Sequence, residues 1–174
     1  MLAGAWRGLI GVLLLWSGAW LWVGVRQPGA AAWAAALLPL GGVPLLIGGQ
    51  FLWAAWANRG HAERPGWQAL GRAWRAECRL AVWLFGWLQP FRAQAWPDQH
   101  IQTPGRRGVV LVHGFGCNRA LWTEWLRDLR PSGRCHIAVN LEPPWGPVEG
   151  HVATLEGGVQ QVRAATQLPP LLVC

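Results

Sequence analysis

Two stretches without a single charged side chain, Gly8–Val25 and Ala30–Ala57, constrain this chain more than any other feature. Eighteen residues rise about 27 Å as a helix, close to the hydrocarbon thickness of a bilayer. Residues 1–100 therefore do not read as a soluble core, and most of the tryptophan lies there. Roughly the last eighty residues remain for anything globular, near the lower limit at which a core is self-sufficient. A cleaved signal peptide is a poor alternative for the first stretch, because the apolar run is too long and a second follows at once.

The second stretch contains Pro39 and Pro44, with Gly41-Gly42 and Gly48-Gly49 nearby. Proline removes a helical hydrogen bond and glycine loosens the turn, so a kinked or tilted span is predicted. Arg26-Gln27-Pro28-Gly29 reads as a tight turn that makes the two spans a hairpin within residues 1–60. Trp20, Trp22, Trp53 and Trp56 fall near the span ends, where indole prefers the headgroup layer. Arginines cluster after the second span (Arg59, Arg64, Arg72, Arg75, Arg79), while the connecting turn has only Arg26. The charge bias places both termini on the cytoplasmic side, with a bacterial inner membrane as the expected location. Gln50 and Ser17 are isolated polar residues within the spans and give little basis for transport.

Residues 61–95 form a different region. Trp67, Leu70 and Trp74, then Leu80-Ala81-Val82-Trp83-Leu84-Phe85, alternate with Arg72, Arg75 and Arg79 in a helical rhythm. A basic, Trp-rich amphipathic helix lying in the membrane interface fits this composition. A helix that covers the globular region, with its arginines solvated, is the alternative. Pro90, Pro97 and Pro104-Gly105 punctuate the approach to the last region.

The net charge of +7 is due to arginine, since the chain has no lysine. Its position beside apolar spans, and the lack of any nucleic-acid-binding motif, argue against nucleic acid as a partner and for membrane lipids. Cys78, Cys117, Cys135 and Cys174 include no C-x-x-C pair and read as reduced thiols. The set His113, Cys117, Cys135 and His136 matches no zinc spacing, so neither metal nor cofactor is expected.

From residue 96 the chain reads as α/β. Gly108–Val112 is a strand, and Arg119–Leu129 is a helix with Leu121, Trp122, Trp125, Leu126 and Leu129 on one face. His136–Leu141 is a second strand, Pro143–Pro147 a loop, Val152–Ala165 a second helix and Leu171–Val173 a third strand. Within the second helix, Val152, Leu155, Val159 and Val162 point inward. This β-α-β-α-β order implies a parallel sheet with right-handed crossovers. The first strand passes abruptly into His113-Gly114-Phe115-Gly116, a loop whose backbone amides are free to bind an anion.

The segment Val109–Asn118, with Trp122 just after it, resembles the α/β-hydrolase family. In that family a central strand runs into a His-Gly loop before the first helix, and the next strand leads into a Pro-rich loop. A further helix and a short apolar strand then lead to the nucleophile elbow. The resemblance covers residues 107–174. It implies that the Phe115 amide is one oxyanion-hole donor, that Gly114 and Gly116 let the loop turn sharply, and that His113 braces it.

The departure from the family is that no nucleophile, acid or histidine of a catalytic triad is present. Ser17 lies in the first span, Ser132 lies in a Pro-Ser-Gly turn, and Cys174 falls just before the expected nucleophile position. His151, at a helix start, reads as a cap, and Glu149 and Glu156 as solvated. The expectation is a truncated α/β-hydrolase-type sheet over residues 96–174, preceded by a transmembrane hairpin and an amphipathic helix. That makes the chain the N-terminal fragment of a membrane-anchored esterase or lipase acting on acyl esters, inactive by itself. A non-enzymatic membrane protein with a hydrolase-like interaction module, or a subunit of a transport system, are the alternatives.

Overall fold

Helices carry both charge-free stretches in the computed structural model, which describes residues 1–61 and 63–174. Helix α1 spans Leu2–Arg26 and α2 spans Ala30–Ala57. The first begins a turn and a half ahead of the charge-free run, and Arg7 Nε folds back to donate to the Ala3 carbonyl (3.3 Å). Both are long and apolar enough to cross a membrane, with mean hydropathy 1.8 and 1.9 over their most apolar stretches. Only 6% and 11% of those stretches are buried, so most of their Leu, Val and Trp side chains are left exposed. The chain divides into two compact units, Gly8–Trp83, and Met1–Arg7 together with Leu84–Cys174.

Within the first unit, the prolines of α2 interrupt its hydrogen bonding without ending the helix. Pro39 has no N–H to offer the Ala35 carbonyl four residues earlier. Trp16 of α1 supplies the missing donor, its indole Nε1 lying 2.9 Å from that oxygen. Helix α3, Trp67–Trp83, also packs on α2. Trp74 Nε1 donates to the Pro44 carbonyl (2.9 Å), and a Cβ at Gly48 would lie 3.4 Å from the same indole nitrogen. Arg72, Arg75 and Arg79 of α3 are exposed. At the span ends, the Arg26 guanidinium stacks over Trp22 and that of Arg59 over Trp56, at 5.0 and 4.5 Å.

The second unit is built on a parallel sheet. After a π-helical turn (Leu84–Leu88) and a short α4 (Gln89–Phe91) come β1 (Val109–Val112), β2 (His136–Val139) and β3 (Leu171–Val173). Their order is β2-β1-β3, with Val109 level with both His136 and Leu171. Connections are made by a 3₁₀ turn (Arg119–Trp122) running into α5 (Thr123–Leu129), and by α6 (Val152–Thr166). Strand alternation sends Val110, Ile137 and Val139 to one face, where Val162 and Ala165 of α6 cover them. Val109, Leu111 and Ala138 face the other way, against Trp122 and Leu126.

Close approach fixes the α6 face. A Cβ at Gly158 would stand 2.9 Å from Val139, and one at Gly108 would meet the Val162 side chain and come within 2.9 Å of the Cys135 carbonyl. Because β1 is central, its two neighbours leave on opposite sides. The sheet thus has a switch point beside β1, and in open α/β sheets the crevice outside the strands' carboxyl ends at such a point is where ligands bind.

Three expectations change. Strand β2 ends at Val139 rather than Leu141, because Asn140 turns its side chain to accept from the Arg119 N–H (2.9 Å) and Leu141 donates to His113. The helix predicted over Arg119–Leu129 begins as a tighter 3₁₀ turn, which changes the angular position of the residues beyond it. Trp125 is consequently half exposed and meets Trp122 edge-on at 5.7 Å instead of filling the core. Val152 is likewise exposed, lying at the mouth of a cavity.

Candidate functional site

The loop after β1 is shaped by two local features. Cys117 N–H donates to the Gly114 carbonyl (3.2 Å), closing a turn with Phe115 and Gly116 at its centre. Gly116 has φ +72°, which a side chain would strain, so glycine is required there. Gly114 faces open space, since a Cβ added there would meet nothing within 4 Å. Among the described residues, the amides of Phe115 and Gly116 meet no protein acceptor.

His113 is buried and uses both ring nitrogens. Nδ1 lies 3.0 Å from the Gly114 carbonyl and must donate to it, while Nε2 accepts from the Leu141 N–H at 3.1 Å. These partners fix the neutral Nδ1–H tautomer. Burial pushes the imidazole below its ordinary range, outweighing the raising effect of the Gly114 bond. With both nitrogens committed, the ring ties the loop after β1 to the loop after β2 and is not free to act as a base.

A buried polar scaffold holds the far end of the loop. Asn118 N–H donates to Gln89 Oε1 (2.7 Å), Asn118 Nδ2 donates to the Gln89 carbonyl (3.0 Å), and Asn118 Oδ1 caps the next turn by accepting from Ala120 N–H (2.9 Å). Arg119, buried beside it, pairs with Asp98 (2.7 Å), whose same oxygen accepts from Ala138 N–H at 2.9 Å. Asp98 thus pairs with the buried Arg119 guanidinium, while Arg119 Nε and Gln89 Nε2 are buried without a protein partner among the described residues.

A cavity of about 270 Å³ opens at the carboxyl ends of β1 and β2. The His113–Cys117 loop forms one wall, and Leu141, Pro144, Val152 and Leu155 supply an apolar one. All four residues singled out from the sequence, His113, Gly114, Phe115 and Gly116, line it. Two others were not anticipated. Cys117 joins the wall, and burial pushes its thiol up, against a weaker opposing contact with Gln89. His151 makes no capping bond to α6, contrary to expectation; its ring lines the cavity, with Nδ1 buried and without a protein partner among the described residues. The signal for His151 was available in outline, since it stands where a Pro-rich loop returns to the helix after β2.

The remaining candidates are not brought together. Ser17 is within α1, and Ser132 ends a 3₁₀ turn leading to the amino end of β2, its hydroxyl bonded to Leu129. Cys135 and His136 also lie at that amino end, away from His113. Cys174 is exposed after β3, and Glu149 and Glu156 are exposed. The arrangement offers an apolar cavity, free amides and a rigid brace. Comparison with family models, curated proteins and solved structures gave no match to this chain.

Proposed function

We propose that this chain carries the membrane anchor and the oxyanion-binding loop of an α/β-hydrolase that cleaves acyl esters, esterase- or lipase-like. The observation that carries the reading is the cavity at the carboxyl end of β1, with the unpaired amides of Phe115 and Gly116 beside an apolar wall. Preset amides stabilise the negative charge that grows on an attacked carbonyl oxygen. His113 holds this loop from behind as a positioning residue, neutral and doubly bonded. The serine that attacks the ester, and the acid and histidine that activate it, belong in this reading to residues outside these 174.

The anchor follows from α1 and α2, read as a hairpin crossing a bacterial inner membrane with both ends in the cytoplasm. The arginines after α2 support that orientation, and a Trp–Arg pair marks one end of each span. Membrane lipids, around α1 and α2, are the partner in this reading.

Phe115 provides the test, because the second position of its turn accepts proline, which has no N–H. Phe115→Pro, made in the protein of the native membrane, should lower kcat for a short acyl ester by about 10²–10³-fold, the usual loss of one oxyanion donor. Phe115→Ala keeps the amide and should lose far less. Equal activity of the two variants rejects the role. An interaction module without catalysis is the second reading, favoured by the absence of any serine among the residues lining the cavity.

A further inference from the structure

The rim of this cavity has a composition that its interior does not explain. Phe115 and Trp145, from the loops after β1 and β2, are 83% and 63% exposed, yet they meet each other edge-on at 5.4 Å. Val148 (79% exposed) and Val152 extend the same apolar rim. Large aromatic side chains held in water by rigid loops are unfavourable unless a partner covers them.

The same unit supplies the argument for which partner. It includes the amino end of α1, where Leu2 is buried, Trp6 lies 5.0 Å from Phe85, and the Met1 ammonium pairs with Glu142 at 2.7 Å. Glu142 immediately precedes Pro143-Pro144-Trp145, so the loop that bears Trp145 is tied to the start of α1. Basic residues sit elsewhere on the unit: Arg106 and Arg107 precede β1, Arg130 and Arg134 precede β2, and Arg134 donates to the Arg107 carbonyl (3.1 Å). The strand amino ends are therefore cationic, while the carboxyl ends carry the apolar and aromatic rim, with Glu142 paired to the Met1 ammonium and Glu149 exposed beside Val148.

We infer that the rim formed by Phe115, Trp145, Val148 and Val152 docks into the headgroup layer of a phospholipid bilayer, so that the cavity opens toward lipid rather than bulk water. Tryptophan and phenylalanine on a protruding edge suit that layer, where their apolar bodies leave water and the indole N–H keeps a polar partner. The inference rests on the reading of α1 and α2 as membrane spans and is independent of the hydrolase reading.

Photocrosslinking of the full chain in nanodiscs of phosphatidylcholine and phosphatidylglycerol tests it. Benzoylphenylalanine is introduced as Trp145→p-benzoylphenylalanine, Val148→p-benzoylphenylalanine and, at the opposite end of the sheet, Ser132→p-benzoylphenylalanine; all three positions are exposed. Phospholipid adducts, read by mass spectrometry, should form several-fold more at 145 and 148 than at 132. Equal yields at the three positions, or an excess at 132 from docking through the basic end, overturn the inference while co-elution with the discs still upholds the anchor. A chain that separates from the discs removes the anchor and the inference together.

Discussion

Replacing His113 by phenylalanine keeps a planar ring in a buried site while deleting both of its hydrogen-bonding nitrogens. The Leu141 N–H then loses its acceptor and the Gly114 carbonyl its donor. Each net bond is worth about 1 kcal/mol, and the partly buried Leu141 amide adds a desolvation cost, giving about 2–3 kcal/mol in all. Amide hydrogen exchange reads this at the atom concerned. At about 1.4 kcal/mol per tenfold, the Leu141 amide should exchange roughly thirty-fold faster or more, with β1–β2 amides affected less. The effect has a pH signature. Burial lowers the His113 pKa, so its stabilising contribution is complete above the ordinary imidazole range near 6.5 and is lost as pH falls toward the lowered value. His136, also buried and lowered, contributes in the same direction. Acidification should therefore destabilise the parent unit, and His113→Phe should shrink that dependence while retaining the part due to His136. An unchanged Leu141 exchange rate in His113→Phe would mean that the imidazole does not hold that amide.

Other expectations follow from single contacts. Trp16→Phe should weaken the α1–α2 hairpin by about 0.6–2 kcal/mol, the range of interhelical hydrogen bonds in membranes. In a Pro39→Ala background, where the backbone regains its own donor to Ala35, the same change should cost clearly less; steric trapping in bicelles measures both, and identical costs contradict the pairing. Gly108→Ala should destabilise the sheet unit by about 1–3 kcal/mol through overpacking against Val162 and Cys135, seen as a lower unfolding midpoint. Gly116→Ala should cost about 1–2 kcal/mol for its left-handed backbone, whereas Gly114→Ala, with open space around it, should cost less than either. Asp98→Asn leaves the buried Arg119 guanidinium without its counter-ion and should cost about 3–5 kcal/mol by the same measurement.

Much of this architecture was legible in local pattern. The uncharged run Ala30–Ala57 matches the bounds of α2, the strand expected over Gly108–Val112 begins one residue later at Val109, and the Leu171–Val173 run matches its strand, because burial or lipid exposure selects such runs directly. The His113–Gly116 loop stood out because strand and glycine turn adjoin. Contacts between residues distant in sequence were not legible. Gln89 and Asn118 are 29 residues apart, Asp98 and Arg119 21, and nothing in either segment names the other. Trp16 completing the bond missing at Pro39 is of the same kind, since an indole in an apolar span reads as an interface anchor or a packing group. His151 was misread because its position at a helix start suggested a cap. The path of the Pro143–Pro147 loop turns it to the cavity instead. Trp125 failed for a geometric reason, since a 3₁₀ start offsets the face expected of an uninterrupted α-helix.

Fluorophosphonate labelling of native membranes tests whether the His113–Cys117 loop serves a serine hydrolase. Bands reacting with the probe would be captured, digested and searched for peptides of residues 107–174. This chain's peptides should be recovered together with a probe-modified serine that is neither Ser17 nor Ser132, and the isolated 174-residue chain should not label. Recovery of the chain only in unlabelled material, while other serine hydrolases of the same membranes react, would contradict that role.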